Sequence, residues 1–177
     1  TLVNAATAYR AAGDLSHAAM LYEDALQILE KNGEQGYTLA SLLNNMSQIY
    51  QAQGRHAEAV PFYERALVLL APLPGVDAEI ATTYSNLALS LIALHRLDEA
   101  AREIEKALAL FERGPEPRDA HYGAALAAAG QLSYLRGDHR QAAQYFEAAL
   151  PEIERSFGKN DSWHTTARNL EQARKML

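Results

Sequence analysis

An internal repeat constrains this chain more than any other feature of its sequence. Five columns of residues recur four times, at intervals of 41, 41 and then 42 positions. The columns are Ala18, Ala59, Ala100 and Ala142; Tyr22, Tyr63, Ile104 and Phe146; Ala25, Ala66, Ala107 and Ala149; Leu26, Leu67, Leu108 and Leu150; and Leu29, Leu70, Phe111 and Ile153. A fixed period of this length indicates a stack of one repeated supersecondary unit.

Within each repeat, the five columns lie on one face of a helix, because their spacing is i, i+4, i+7, i+8 and i+11. A small Ala with an aromatic residue one turn away lets two helix backbones approach closely. A second helix precedes each of these helices. The predicted first helices are Leu2–Ala12, Tyr37–Gln53, Asp77–Leu94 and Arg118–Arg136.

Short turns separate the two helices of each pair. Gly13, Gly54 and Gly137 follow the first helix, where glycine readily adopts the left-handed conformation of a helix C-terminus. His95 takes the equivalent place in the third repeat, so we expect slight strain there or a different cap. Between pairs, the Pro and Gly residues of 72–75 and 114–117 predict tight connections.

The series Tyr9, Gly13, Ala18, Tyr22, Ala25 and its equivalent Tyr50, Gly54, Ala59, Tyr63, Ala66 resemble the tetratricopeptide repeat signature. The long period resembles the variety found in kinesin light chains. HEAT and armadillo repeats have a similar period, but the small–aromatic–small pattern and the glycines favour the tetratricopeptide family. The resemblance implies an all-α fold, a right-handed α-solenoid of about four helix-turn-helix hairpins with a C-terminal capping helix.

The predicted domain organisation is one solenoid over residues 1–177. Its repeats are 1–33, 34–75, 76–117 and 118–159, and the capping helix is 160–177. In that last helix Glu171 and Arg174 replace residues that face a partner helix in the other repeats, which suits the end of a solenoid. The first helix is short and lacks a clear N-cap, so we expect further chain upstream.

Composition argues against several classes of function. The net charge is -6 and no run of Lys or Arg stands out, so nucleic acid is not an expected partner. No apolar run is long enough to span a membrane, and no signal peptide is visible, which favours a cytoplasmic location. Cysteine is absent, and the six histidines lack metal-ligand spacing. Without a nucleophile or phosphate-binding motif, we expect no enzyme activity, metal or cofactor.

A column of asparagines suggests where a ligand could bind. The Asn ladder consists of Asn4, Asn45, Asn86 and Asn169, and Ala128 interrupts it in the fourth repeat. A carboxamide both donates and accepts hydrogen bonds, so it can bind the backbone of an extended peptide. The resemblance implies this role, because first helices line the concave face of such arrays. Alternatively, a periodic Asn can bond a helix terminus or maintain the spacing of hairpins.

Neighbouring columns extend this candidate groove. Its residues are Asn4, Arg10, Asn44, Asn45, Gln48, Gln51, Asn86, Leu89, Gln131, Tyr134, Arg168, Asn169, Gln172 and Lys175. The set contains basic residues but no acidic ones, although the chain as a whole is acidic. This favours a peptide with an apolar anchor and an acidic end, unless the basic side chains only confer solubility.

The predicted function is therefore a non-catalytic scaffold that binds a protein or an extended peptide. Two alternatives remain open at this point. The chain could self-associate as an architectural module, for example as a homodimer through its N-terminal end, or it could be the sensory arm of a larger regulator.

Overall fold

The structure, a computed structural model, describes residues 1–177 and contains helices but no strands. The helices are α1 (Leu2–Ala11), α2 (Leu15–Lys31), α3 (Tyr37–Ala52), α4 (His56–Leu70), α5 (Asp77–Ala93), α6 (Leu97–Arg113), α7 (Tyr122–Leu135), α8 (His139–Phe157) and α9 (Asp161–Lys175). The first helix of all four repeats ends one residue before its predicted end. The predicted all-α class is confirmed.

The helices form two compact units. Unit 1 is Thr1–Val76 and contains the hairpins α1–α2 and α3–α4. Unit 2 is Asp77–Leu177 and contains the hairpins α5–α6 and α7–α8, with α9 packed against α8. The prediction of one domain over residues 1–177 stays a prediction.

The repeated columns form the cores of the hairpins. Ala18, Ala59, Ala100 and Ala142 are completely buried. Their large neighbours one turn along, Tyr22, Tyr63, Ile104 and Phe146, are buried as well. A methyl group at the closest approach of two helices, with a large side chain beside it, fills the interface without a void. The columns therefore specify how each helix packs against the other helices of its unit.

All four hairpins turn in the same way. The amide after the turn residue donates to the carbonyl of the residue five positions earlier, at 2.8–2.9 Å, which is the Schellman arrangement. This bond requires a left-handed residue, and Gly13, Gly54 and Gly137 have φ values of 83°, 74° and 82°. His95 adopts the same conformation with φ 57°, and it is the chain's only non-glycine residue with a positive φ. The expected local strain in the third repeat is thus present.

Helix α7 begins four residues later than the sequence predicted. The prediction was Arg118, whereas the structure has Tyr122. The Arg118 guanidinium donates to the carbonyl oxygen of Glu112 at 2.9 Å, so it caps the end of α6. Asp119 then accepts from the backbone N–H of His121 at 2.8 Å. These bonds hold residues 118–121 in a turn.

The expectation that α1 lacks an N-cap is wrong. The Thr1 hydroxyl accepts from the backbone N–H of Asn4 at 3.3 Å. Threonine is a favoured capping residue, because its oxygen satisfies an amide that has no partner within the helix.

Helix α9 has one apolar face. Thr166, Leu170 and Ala173 are buried, and the last two pack in a cluster with Phe146 of α8. Glu171 and Arg174 are exposed, as expected for a helix with no further partner. Trp163 packs over the last hairpin, against a cluster containing Leu126, Ala149 and Ile153.

The strain at His95 yields a first prediction. His95→Gly should raise the free energy of unfolding by about 0.5–1 kcal/mol, because glycine adopts a positive φ without steric cost. The reverse change at the equivalent turn, Gly137→His, should lower it by about 1 kcal/mol. An added Cβ at Gly137 meets no atom within 4 Å, so this control isolates the backbone effect. Thermal unfolding measures both changes, and equal stability of all three proteins would contradict the prediction.

Candidate functional site

Two equivalent polar contacts fix first helices onto the preceding hairpin. The Tyr50 hydroxyl on α3 donates to a carboxylate oxygen of Glu23 on α2 at 2.6 Å. Arg174 on α9 donates to Glu147 on α8 at 2.7 Å, and the residues of each pair lie 27 positions apart. Burial, together with the bond to Glu23, raises the pKa of Tyr50 to about 12. At these two positions a glutamate of a second helix thus orients the next first helix, which carries candidate groove residues.

In unit 2, four predicted groove residues converge. A cleft of about 380 Å³ lies among α7, α8 and α9. Gln131 and Tyr134 project into it from α7, and Asn169 and Gln172 from α9. The volume falls within the range of about 300–1,000 Å³ that is common for ligand sites. The lining is mainly uncharged and polar, and both donors and acceptors are present.

The floor of this cleft is the apolar ring of Phe146, against which α7 packs very closely. Phe146 lines the cleft and is almost completely buried. A Cβ on Gly130 would lie 2.6 Å from a ring carbon of Phe146, so only glycine fits at this position. Tyr134 packs against the cluster that contains Phe146 and contacts His139 edge-on, with ring centroids 4.9 Å apart. These contacts fix the aromatic part of the site.

The basic candidates of unit 2 differ in their partners. Lys175 forms an ion pair with Glu171 of its own helix at 2.8 Å, and its hydrogen bond holds the pKa of that carboxyl below its usual value. Arg168 forms no ion pair, and instead donates to the Thr165 hydroxyl at 3.3 Å. Since Thr165 lines the cleft, the unpaired positive charge of Arg168 lies beside the site.

In unit 1, the predicted residues divide into two groups. Asn4 and Asn45 line a pocket of about 630 Å³. Arg10 donates to the side-chain oxygen of Gln48 at 2.9 Å, which links α1 to α3. The charge of Arg10 therefore already has a polar partner within the protein.

The remaining candidates line neither of these pockets. Gln51 accepts a hydrogen bond from the buried Tyr63 hydroxyl at 3.1 Å, so it contributes to the packing of its own hairpin. Asn44 is half-buried on α3, and Asn86 and Leu89 are half-buried on α5. The structure therefore brings together two pairs of the candidate residues in unit 1 and the group of four that lines the cleft in unit 2. The pairs are Asn4 with Asn45 and Arg10 with Gln48.

Sequence reasoning missed a hydroxyl column that accompanies the ladder. Thr165 lines the cleft with Asn169, and Ser41 lines the pocket of unit 1 with Asn45. Each hydroxyl lies four residues before its Asn, hence on the same helix face. Thr82 precedes Asn86 in the same way, whereas in the fourth repeat both positions are alanine. The sequence itself shows that the hydroxyl and the Asn occur together in these repeats.

Other kinds of site are not formed by these side chains. No group of three or more His, Asp or Glu residues is placed to hold a metal ion. No helix has the combined length and apolar character that crossing a membrane requires. The candidate site therefore consists of the carboxamide, hydroxyl and aromatic groups described above.

Comparison with known families agrees with the geometry. The tetratricopeptide repeat model matches residues 1–71 and 79–151. The chain belongs to the tetratricopeptide repeat family. No curated protein matches the sequence significantly. Members of this family are generally non-catalytic scaffolds that bind proteins or peptides.

Solved structures with similar folds come from proteins of diverse kinds. BtubC (BKLC) from P. vanneervenii is 26% identical, with a TM-score of 0.77 over 97% of this chain and 69% of that one. A kinesin light chain-like protein of Podosopora anserina, with nearly identical TPR-like repeats, is 18% identical, with a TM-score of 0.73 over 99% and 92%. A chain of the APC/C hetero-tetramer Cut9-Hcn1 is 16% identical, with a TM-score of 0.79 over 99% of this chain and 29% of that one. The predicted α-solenoid class of tetratricopeptide hairpins is confirmed.

The close packing under the cleft yields a second prediction. Gly130→Ala should destabilise the protein by about 1–3 kcal/mol through overpacking against Phe146, although alanine favours helices. The third repeat has Ala88 and Ile104 at the equivalent positions, both buried. Adding Phe146→Ile to Gly130→Ala should therefore recover part of the loss. Denaturant unfolding of the four proteins in this double-mutant cycle measures the coupling, and purely additive effects would refute the explanation.

Proposed function

We propose that this chain binds a partner protein by holding an extended segment of it in the cleft among α7, α8 and α9. The observation that supports this most is the convergence of Gln131, Tyr134, Asn169 and Gln172 from two helices that are distant in sequence. An extended peptide presents backbone N–H and C=O groups alternately. Carboxamides match both, and they do so without selecting a particular sequence.

The apolar floor adds a preference for a side chain. Phe146 and Leu135 line the same cleft as the carboxamides. Leu135 is exposed to 44% and provides apolar surface for a ligand to cover. An apolar side chain of the bound segment packs here, while its backbone bonds to Gln131 and Asn169.

The position of Arg168 supports an acidic group at one end of the segment. It is the basic candidate of unit 2 whose charge has no carboxylate partner in the protein. A carboxylate beside the cleft would provide one. The energy involved is modest, because the guanidinium is exposed and solvent screens the pair.

The third prediction tests the cleft with peptides selected on the purified protein from a displayed random library. Gln131→Ala combined with Asn169→Ala should weaken their binding about 10- to 30-fold, because two hydrogen bonds contribute about 0.5–1.5 kcal/mol each. Gln144→Ala is the matched control, since Gln144 is exposed on α8 and does not line the cleft. Fluorescence anisotropy measures the affinities. Selected peptides that bind the double variant as tightly as the wild type would place the site elsewhere.

The fourth prediction concerns charge. Arg168→Gln should weaken binding of a selected acidic peptide about 2- to 5-fold at low salt, and it should flatten the dependence of affinity on salt. Lys175→Gln should have a smaller effect, because Glu171 already pairs with Lys175. The same titrations at two ionic strengths provide the comparison. Equal effects of the two changes would show that the pairing within α9 does not control which charge is available.

A further inference from the structure

The two walls of the cleft in unit 2 are helices that run in the same direction. Short turns join α7 to α8 and α8 to α9, and both α7 and α9 pack against α8. Helices joined by short turns are antiparallel neighbours, so α7 and α9 are each antiparallel to α8 and parallel to one another. Residues on the two walls can therefore be compared by their positions along the helices.

The walls are staggered along this common direction. Gln131 of α7 and Gln172 of α9 occupy equivalent repeat positions, 41 residues apart, and both line the cleft. From this level, the lining of α7 continues towards its C-terminus as far as Leu135, whereas the lining of α9 continues towards its N-terminus as far as Thr165. The cleft thus runs diagonally from the end of α7 towards the beginning of α9.

The two ends of this diagonal differ in chemistry. At the end formed by α7, Leu135 exposes apolar surface. At the end formed by α9, the exposed Arg168 donates to the Thr165 hydroxyl and has no carboxylate partner. Leu135 lies four positions past the level of the two glutamines, and Arg168 lies four positions before it. At about 1.5 Å per helical residue, the two side chains are offset by about 12 Å along the helices.

Hydrogen-bonding groups on both walls determine how an extended segment can lie between them. Gln131 projects from one wall, and Asn169 and Gln172 project from the other. The backbone groups of an extended chain point sideways, to one wall and then to the other, while its side chains point alternately to its two faces. A segment bonded to both walls therefore directs every second side chain towards the floor at Phe146 and the others towards solvent.

This alternation and the offset together select one spacing. Two side chains that both face the protein must be separated by an even number of residues. At about 3.3 Å per residue, two residues span about 7 Å, four span about 13 Å and six span about 20 Å. A separation of four residues is the one that matches the offset between Leu135 and Arg168.

We propose that the cleft selects partner segments in which an acidic residue lies four positions from an apolar residue. The apolar side chain covers Leu135, and the acidic side chain pairs with Arg168. Carboxamides bond to an extended chain in either direction, so the same spacing applies whether the acidic residue precedes or follows the apolar one. This inference rests on the function proposed above for the cleft, and it specifies which class of partner sequence the cleft accepts.

The first test compares peptides selected from a displayed random library on the wild-type protein and on Arg168→Gln. The wild type should enrich Asp or Glu at the fourth position from an apolar residue. Arg168→Gln should still enrich the apolar residue, but without an acidic residue at a fixed distance. Lys175→Gln is the matched control on the same helix, because Glu171 already pairs with Lys175, and it should select the wild-type pattern.

The second test measures the spacing directly with synthetic peptides. Acetylated and amidated versions of one selected sequence carry the acidic residue three, four or five positions from the apolar residue, so composition and net charge stay constant. Fluorescence anisotropy at low salt should show that the wild type binds the four-residue version about 2- to 5-fold more tightly than the other two, because at three or five positions the carboxylate points to solvent. Arg168→Gln should bind all three equally.

Two results would overturn the inference. The three peptides could bind the wild type equally, or Arg168→Gln could keep the preference for a separation of four. In either case the function proposed for the cleft still stands if Gln131→Ala with Asn169→Ala weakens binding of these peptides. If that double variant binds them as tightly as the wild type, the segment lies outside the cleft, and both the proposed function and this inference fail.

Discussion

The close approach of paired helices, set by a small residue facing a large one, is the constraint on which this structure depends. Buried alanines recur through all four repeats, and each has a large buried neighbour one turn along its helix. At Phe146 the facing position is reduced to Gly130, where an added Cβ would lie 2.6 Å from the ring. Interiors are packed so densely that even a single methyl group changes the balance. The repeat period of the sequence follows from this packing, because each helix must present the same faces to its neighbours.

The candidate sites lie on the helix faces that do not pack against other helices. The faces committed to packing carry alanine and large apolar residues, and they tolerate little change. The remaining face of the first helices carries Asn, Gln, Ser and Thr, some of which, such as Gln51 with Tyr63, also bond within the protein. A hydroxyl residue lies four positions before Asn45, Asn86 and Asn169, and both positions are alanine in the fourth repeat. In these repeats the two positions therefore vary together, as neighbours on one helix face.

Sequence alone predicted most of the fold, and for the candidate site it indicated which residues share a helix face. The helices, the Schellman turns and the strained His95 follow from local periodicity and turn chemistry, and most helix ends agree within one residue. The start of α7 could not be predicted in this way, because it depends on the Arg118 side chain reaching the end of α6. The sequence also could not show which basic side chain lacks an acidic partner. Arg168 and Lys175 look alike as basic residues of one helix, yet only Lys175 has a carboxylate partner. Rotamers and packing decide which side chains are in contact, and the aligned repeats do not contain that information.

The two pockets show how one template can produce different chemistry. In unit 2, the first helices that border the cleft are complete, so the large residues near the ends of α6 and α8 are covered and the space that remains is lined by carboxamides. In unit 1, the space among α1, α2 and α3 is lined mainly by apolar side chains, with Asn4 and Asn45 beside them. The shared repeat register places both spaces next to first helices, whereas the residues at a few positions give each space its own chemistry. The identity of the residues that line a space, and not the register alone, is therefore what distinguishes the two pockets.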